Sequence, residues 1–504
     1  MTAMTVQQSS QSVAVPGRSP RGDDRPLEVA DARRLLRRAR RRLVGLARAE
    51  EKETLSALLW RHLGEQADAL PVVAEAWPAY EHVNVQVALD AWLAGRDSRV
   101  VGVIGFQHRE FGLADLMSDT PDAWGPRPGN LARTAQPAGP DGEVVDCVQC
   151  AVVLVTEAAH RSALLVQAAD PTTGRMALTV QVVSTDPAYA AAVAAELRRL
   201  TLVHNVFRGQ VLSFGAEVFR HGESVLRFHR RPVLGEDQLV LPAATLAAVR
   251  RQVVDVARHK DRLLAAGQHL KRGLLLYGPP GVGKTHTVRH LVASLTGTTV
   301  VELTGDSMHL VAECCSVARA LQPAMVVIED VDLIAEDRGM HPGQHPLLFQ
   351  LLNEMDGLEE DADVVFVLTT NRADLLEPAL ASRPGRIDQA VELTLPDLAA
   401  RRALFELYRG SLEVDTSRLD DVLERASGVT ASFLKELLRR AATLAADRPG
   451  PLAVSADDLN DALDELLDTR NAMTRVLLGS NGQGRPAAAP AVSPRPGPAP
   501  RDGG

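Results

Sequence analysis

The stretch GLLLYGPPGVGKTHTVRHLVASL, residues 273–295, decides the fold. Its apolar start, Gly273 to Tyr277, has the length and composition of a buried strand, and the residues after Thr285 have the spacing of a helix. Between them, Gly278-Pro279-Pro280-Gly281-Val282-Gly283-Lys284-Thr285 is a complete G-x-x-x-x-G-K-T run in the strand–loop–helix setting that gives the motif its meaning. The glycines let backbone N–H groups turn inward around an anion, and the helix N-terminus adds partial positive charge. Lys284 can reach β- and γ-phosphates, and the Thr285 hydroxyl is a hard oxygen donor suited to magnesium. Residues 278–285 together with His286 are the candidate nucleotide-binding loop.

Working outward, four more apolar runs alternate with helical segments: TTVVEL (298–303), AMVVIE (324–329), VVFVLT (364–369) and AVELTL (390–395). That alternation indicates a five-stranded parallel sheet of an α/β domain over 233–395. The third run ends in Glu329-Asp330, two acids placed to serve magnesium and a water. Residues 396–470 read as helical only, the pattern of a small lid. Before the sheet, 26–232 reads as an α+β domain. It has helices to about Leu93, a strand at 98–106, a loop to Gly142, strands at 144–155, 163–169 and 176–184, a helix at 187–205 and a hairpin about His221-Gly222. The ends, 1–25 and 471–504, have no core-forming pattern, and the last is Pro/Gly/Ala-rich from 479.

Composition bounds the function. The 504 residues carry 64 acidic against 55 basic side chains, a net charge of −9, which speaks against nucleic acid as a whole-surface partner. Only Lys52, Lys260, Lys271, Lys284 and Lys435 are lysines. No apolar run approaches the ~18–20 residues of a membrane span, so a cytoplasmic protein without a membrane partner is expected.

The segments LLLYGPPGVGKT, PAMVVIEDVD, LLFQLLNEMDGL (347–358), TTNRADLLEPAL (369–380) and RPGRID (383–388) follow one another in the order typical of AAA ATPases. The chain resembles the branch of this AAA+ group that includes proteasomal ATPases and FtsH-type proteases, over about 235–470. The resemblance implies a P-loop AAA+ sheet with a C-terminal helical lid, ATP and Mg2+ as ligands, and a homo-hexameric ring. It implies that Glu329 serves magnesium through water, that Asp330 is the catalytic base and that Asn371 is the γ-phosphate sensor. Arg383 and Arg386 match arginine fingers that reach a neighbour's nucleotide, and Ala431 and Ser432, in the run Gly428–Ser432, match the start of the lid helix beside adenine. The implied function is ATP hydrolysis coupled to remodelling of an unidentified protein or assembly selected by 26–232. Open alternatives are an assembly or regulatory ATPase that threads nothing, a nucleotide-gated scaffold with little turnover, and a DNA-linked motor.

Two departures from that pattern bear on mechanism. The family usually has Asp-Glu where this chain has Glu329-Asp330; Asp is shorter by one methylene, and ~1 Å of misplacement can cost ~100-fold in rate. The segment between the second and third strands, GDSMHLVAECCSVARALQP (305–323), is short and has no aromatic-Gly loop. Met308, His309 and Leu310 are its apolar-like candidates, read mainly as a helix start. Among weaker signals, Cys147-Val-Gln-Cys150 is half a zinc spacing without a second half, and Cys314-Cys315 read as packed thiols. The arginine run Arg33, Arg34, Arg37, Arg38, Arg40, Arg41 and Arg42 reads as the solvated side of a helix.

Overall fold

The computed structural model describes residues 54–105, 110–118, 126–158, 160–216, 224–332, 346–374 and 387–468. The arginine run at 33–42 and the hairpin turn at His221-Gly222 lie outside them. In the first part of the chain, α1 (Leu55–Leu63), β1 (Val73–Pro78), α2 (His82–Leu93) and β2 (Asp97–Ile104) are followed by a short helix (Leu113–Met117) and β3 (Arg127–Gly129). Then come β4 (Arg133–Pro137), β5 (Val144–Val148), β6 (Cys150–Glu157), β7 (His160–Gln167), β8 (Ala177–Ser184) and α3 (Pro187–Val203). Six strands form an antiparallel sheet in the order β1-β8-β7-β6-β2-β3. One face is covered by α2 and α3 through Trp77, Trp92, Leu178 and Leu197, the other by α1 through Leu55, Leu59, Val101 and Leu165.

Three sequence readings change here. Val73–Pro78, read as helical, is an edge strand, because Trp77 packs into the sheet core while Ala74, Ala76 and Pro78 face solvent. The loop read up to Gly142 contains a helix and two strands. The run 144–155, read as one strand, divides at the exposed Gln149: β5 pairs with β4 in a separate ribbon, whereas β6 joins the main sheet. The Gln149 N–H donates to the Ala132 carbonyl at 3.0 Å and its own carbonyl accepts from Ala168 N–H at 2.8 Å, so the break has no loose backbone. Cys147 and Cys150 consequently pack in different cores. Burial pushes both thiols up to about 12, which keeps them protonated.

The next strands are β9 (Val211–Ala216) and β10 (Ser224–His229). A helical stretch over 243–265, with a π turn at Arg251–Asp255, leads to β11 (Arg272–Tyr277), α4 (Lys284–Ser294) and β12 (Thr299–Leu303). The 310 turn Gly305–Leu310 precedes α5 (Val311–Ala320), then β13 (Ala324–Ile328), α6 (Pro346–Asp356), β14 (Val364–Thr370) and β15 (Gln389–Glu392). The five expected parallel strands are present in the order β12-β13-β14-β11-β15, with β11 between β14 and β15. They read as near-continuous apolar runs because both faces are covered: α4 with the 243–265 stretch on one, α5 and α6 on the other. The sheet has seven strands, not five. The hairpin β9–β10, read as part of the 26–232 domain, adds to its edge, β9 running parallel to β12.

Residues beyond 396 fold as α7 (Leu398–Arg409), α8 (Leu419–Arg425), α9 (Ala431–Ala446) and α10 (Ala456–Leu467) around Phe405, Phe433 and Leu437. A two-residue parallel ladder, Glu413–Val414 with Ala453–Val454, ties this helical unit together and was not anticipated. Among the described residues, no helix is long and apolar enough to cross a membrane.

The two sheets share a core. Val83 and Cys147 pack in the same cluster as Phe207, Phe214 and α5, and Tyr80 meets Phe214 edge-on at 5.5 Å. Arg231 clasps the junction: its guanidinium donates to the carbonyls of Val292, Leu295, Gly209 and Thr298. Asn84 accepts from Val206 N–H at 2.8 Å and donates to Glu81 at 2.7 Å. Burial pushes the Glu81 carboxyl up to about 7, against the Asn84 and Asn205 amides that pull it down. The folded protein therefore holds a proton that the unfolded chain releases at its ordinary value of 4.5. This contribution is complete below the unfolded value and is lost as pH rises to about 7. Unfolding free energy should fall by roughly 1–3 kcal/mol across that window and level off above it. Denaturation of wild type and Glu81→Gln at a series of pH values checks this, the variant showing the shallower dependence.

Candidate functional site

The loop between β11 and α4 turns with left-handed φ at Gly278, Gly281 and Gly283, and at the first two a side chain would also meet neighbours. Gly278 has φ +146°, and a Cβ there would sit 2.2 Å from the Leu393 carbonyl oxygen. Gly281, at φ +82°, would place one 2.9 Å from Thr430 Oγ1 and 3.1 Å from Ser432 Oγ. The loop is thus pressed against both the last strand and the start of α9, and the Ser432 N–H donates to the Gly281 carbonyl at 3.3 Å.

Lys284 is buried, and its ammonium has three acceptors: the carbonyls of Gly278 at 2.8 Å and Pro279 at 2.9 Å, and Asn371 Oδ1 at 2.7 Å. Burial pulls its pKa down, and the carboxylates of Asp330 and Asp332 oppose that pull. Asn371, at the tip of β14, turns its amide nitrogen to Asp330 Oδ1 at 3.2 Å. Lys284, Asn371 and Asp330, from three separate segments, therefore form one polar chain across the carboxyl ends of β11, β14 and β13. Asp330 itself stands at φ +50°, with its N–H on Thr369 Oγ1 at 3.0 Å. This turn exposes the Asp330 side chain while returning Val331 to the core.

Glu329 points the other way. Its Oε1 is buried and has no hydrogen-bond partner among the described residues. Burial and the Glu329 charge raise the pKa of Glu302 on the adjacent strand. Thr285 lies exposed in the first turn of α4. An orphaned carboxylate oxygen and a hydroxyl are the oxygen donors that Mg2+ takes, so these residues fit that ion. Ala431 lines a cavity of about 100 Å3 with Val240, Pro242, Val282, His286 and Tyr408. Arg383 and Arg386 lie outside the described residues.

Sequence reasoning passed over three contributors. Asp332 is buried and accepts from the Thr370 hydroxyl at 2.8 Å and the Asn371 N–H at 3.3 Å, which braces the end of β14. It stood in the quoted acidic run, but nothing in the run says which acid turns inward. The segment Gln238–Pro242 walls the cavity, and its Gln238 carbonyl meets His286 Nε2 at 2.8 Å. Glu302 carried no signal at all, being one polar residue in an apolar strand.

A mostly parallel sheet in which β11 feeds a glycine loop and helix, with acids at the end of β13 on the far side of β14, defines a P-loop nucleotide-binding domain. Residues 274–395 match the model of the ATPase family associated with various cellular activities (AAA), so this part of the chain is an AAA ATPase domain. The chain is similar to the ATP-dependent zinc metalloprotease FtsH 2 of Sphaerobacter thermophilus, 37% identical over 270 residues, covering 51% of this chain and 40% of that protein. It is similar to FtsH 3 of Synechocystis sp., 33% identical over 289 residues, covering 54% and 46%. It is also similar to the chloroplastic FTSH 8 of Arabidopsis thaliana, 32% identical over 230 residues, covering 43% and 33%. The chain therefore spans less than half the length of these relatives.

Two substitutions probe the loop. Lys284→Ala removes a charge-assisted contact worth ~1.5–3 kcal/mol and should weaken nucleotide binding roughly ten- to a hundredfold. Gly278→Ala should abolish binding outright through the collision with Leu393. Titration with a fluorescent ATP analogue checks both.

Proposed function

We propose that this chain binds ATP with Mg2+ and hydrolyses it, using the cycle to remodel a protein or macromolecular assembly as a hexameric ring. The observation that carries the reading is the Lys284–Asn371–Asp330 chain. It places a cation, a hydrogen-bonding amide and an exposed carboxylate along one path from the phosphate loop. In the proposed reaction, phosphate oxygens take over Lys284 N–H donors now spent on the Gly278 and Pro279 carbonyls. Asn371, released from Lys284, orients a water, and Asp330 accepts its proton. Mg2+, held by Thr285 and through water by Glu329, would neutralise charge on the phosphates. Arg383 and Arg386 would reach the nucleotide of an adjacent subunit, where a permanently charged planar guanidinium stabilises the transferring group.

A second reading, remodelling without threading, is favoured by residues 305–310. They form a 310 turn with no aromatic side chain, and Leu310 is buried, not offered to a pore. The relatives are named as zinc metalloproteases; the sequence here holds no His-Glu-x-x-His run, and peptide hydrolysis is not part of the proposal.

Asp330→Asn should retain ATP but release no phosphate, because an amide cannot take the water's proton. Normal turnover in Asp330→Asn with none in Glu329→Gln would reverse the two roles. No magnesium-dependent turnover in wild type would favour a nucleotide-gated scaffold. Mixing tests the ring. Lys284→Ala subunits keep their arginines, and Arg383→Ala/Arg386→Ala subunits keep their loops. The two inactive proteins should recover hydrolysis together if the arginines act on a neighbour. A double-arginine variant as fast as wild type, with turnover per subunit independent of concentration, would refute the ring.

A further inference from the structure

Ahead of the helical stretch 243–265, residues Gln238–Pro242 form a strap along the cavity beside the phosphate loop. The strap starts from a tight turn at Glu236–Gln238. There the Gln238 N–H donates to the Gly235 carbonyl at 3.2 Å, and the Gln238 side-chain oxygen accepts from Gly235 N–H at 3.1 Å. Two distant residues hold the turn. Arg250 donates to both carboxylate oxygens of Glu236, at 2.8 and 2.7 Å. His286, in the first turn of α4, brings its Nε2 to 2.8 Å from the Gln238 carbonyl. A carbonyl can only accept, so the imidazole carries a proton on Nε2 and donates it.

Beyond this bond the strap is shared between two cores. Leu239 is buried, Val240 packs against the helical unit built around Phe405 and Phe433, and Leu241 packs against the ATPase core. Strap residues line the same cavity as Val282 of the loop and Tyr408 and Ala431 of the helical unit. The strap is therefore the wall where loop, sheet and helical unit meet, and His286 is its bond to the helix that carries Lys284.

We propose that His286 is a positioning residue for the nucleoside half of the bound nucleotide, latching the Gln238–Pro242 strap as the wall against which base and ribose rest. This inference rests on the nucleotide reading above and deepens it. Helix geometry separates the task from phosphate binding, because residues two apart leave a helix in different directions. Lys284 spends its donors on Gly278, Pro279 and Asn371, whereas His286 spends its own on the strap. When the latch is lost, the apolar contacts of Val240 and Leu241 and the Arg250–Glu236 pair remain, so the strap loosens without unfolding.

The test compares ATP with inorganic tripolyphosphate, which keeps a chain of three phosphates and lacks the nucleoside. Both are titrated calorimetrically into the full chain with magnesium. His286→Met keeps the length of the side chain and removes the donor. It should weaken ATP about three- to tenfold, the size of one hydrogen bond, and tripolyphosphate by less than about twofold. His286→Gln, whose amide nitrogen reaches about as far as Nε2, should bind ATP as wild type does. Arg250→Ala frees the same turn from its other anchor and should repeat the ATP-selective loss, which keeps the result independent of how the His286 variants fold. Equal losses for the two ligands would overturn the latch, since His286 would then act on the phosphate loop. A Gln variant no better than Met would overturn it as well, and so would ATP affinity unchanged in both His286→Met and Arg250→Ala. Wild type that binds neither ligand would refute the nucleotide reading itself, and the latch with it.

Discussion

An ammonium group taken out of water must find acceptors, and the way Lys284 finds them organises the site. Its three N–H bonds go to two loop carbonyls and to Asn371. The loop is therefore held in its anion-cradling shape, and β14 is held against β11 at the end where the nucleotide would sit. Asn371 has no freedom left: its oxygen faces Lys284, its nitrogen faces Asp330, and its backbone N–H rests on Asp332. Burial costs the lysine part of its basicity, and the two aspartates return some of it. In the proposed reaction a nucleotide phosphate competes for these same donors.

The second constraint is the hairpin β9–β10. By adding to the ATPase sheet beside β12, it makes the first part of the chain continuous with the domain that carries the phosphate loop. Arg231 fixes this junction through the carbonyls of Val292 and Leu295 at the end of α4, Thr298 before β12 and Gly209 before β9, and Tyr80 meets Phe214 between the sheets.

The legible part of this protein is the part whose chemistry is local. The turn at Gly278–Lys284 requires glycine and a cation at fixed spacing, and the buried parallel strands β11 to β14 require near-continuous apolar runs, so both stand in the sequence. The illegible parts are pairings between distant segments. Val73–Pro78 alternates weakly because it is an edge strand with one deep anchor, Trp77. The run 144–155 looks continuous because apolar residues run through both halves, and only their partners, β4 and β7, separate them. The hairpin 211–229 has the same pattern whichever sheet it joins.

The same division runs through the site. The residues 278–286 and 329–330 stood out by their own motifs, whereas Asn371 was picked out by the family resemblance alone. Which acid of the run Glu329-Asp330-Val331-Asp332 faces outward was decided by one left-handed residue, Asp330, and by the hydroxyls of Thr369 and Thr370 that hold the turn. That the helix start at Ala431 closes on Gly281, and that Gln238–Pro242 walls the same cavity, depends on segments far apart in the chain meeting at one loop. Sequence by itself determined the chemistry on offer, because each motif is complete within a few residues. Tertiary structure alone decided which groups meet, because burial and strand pairing are properties of the whole chain.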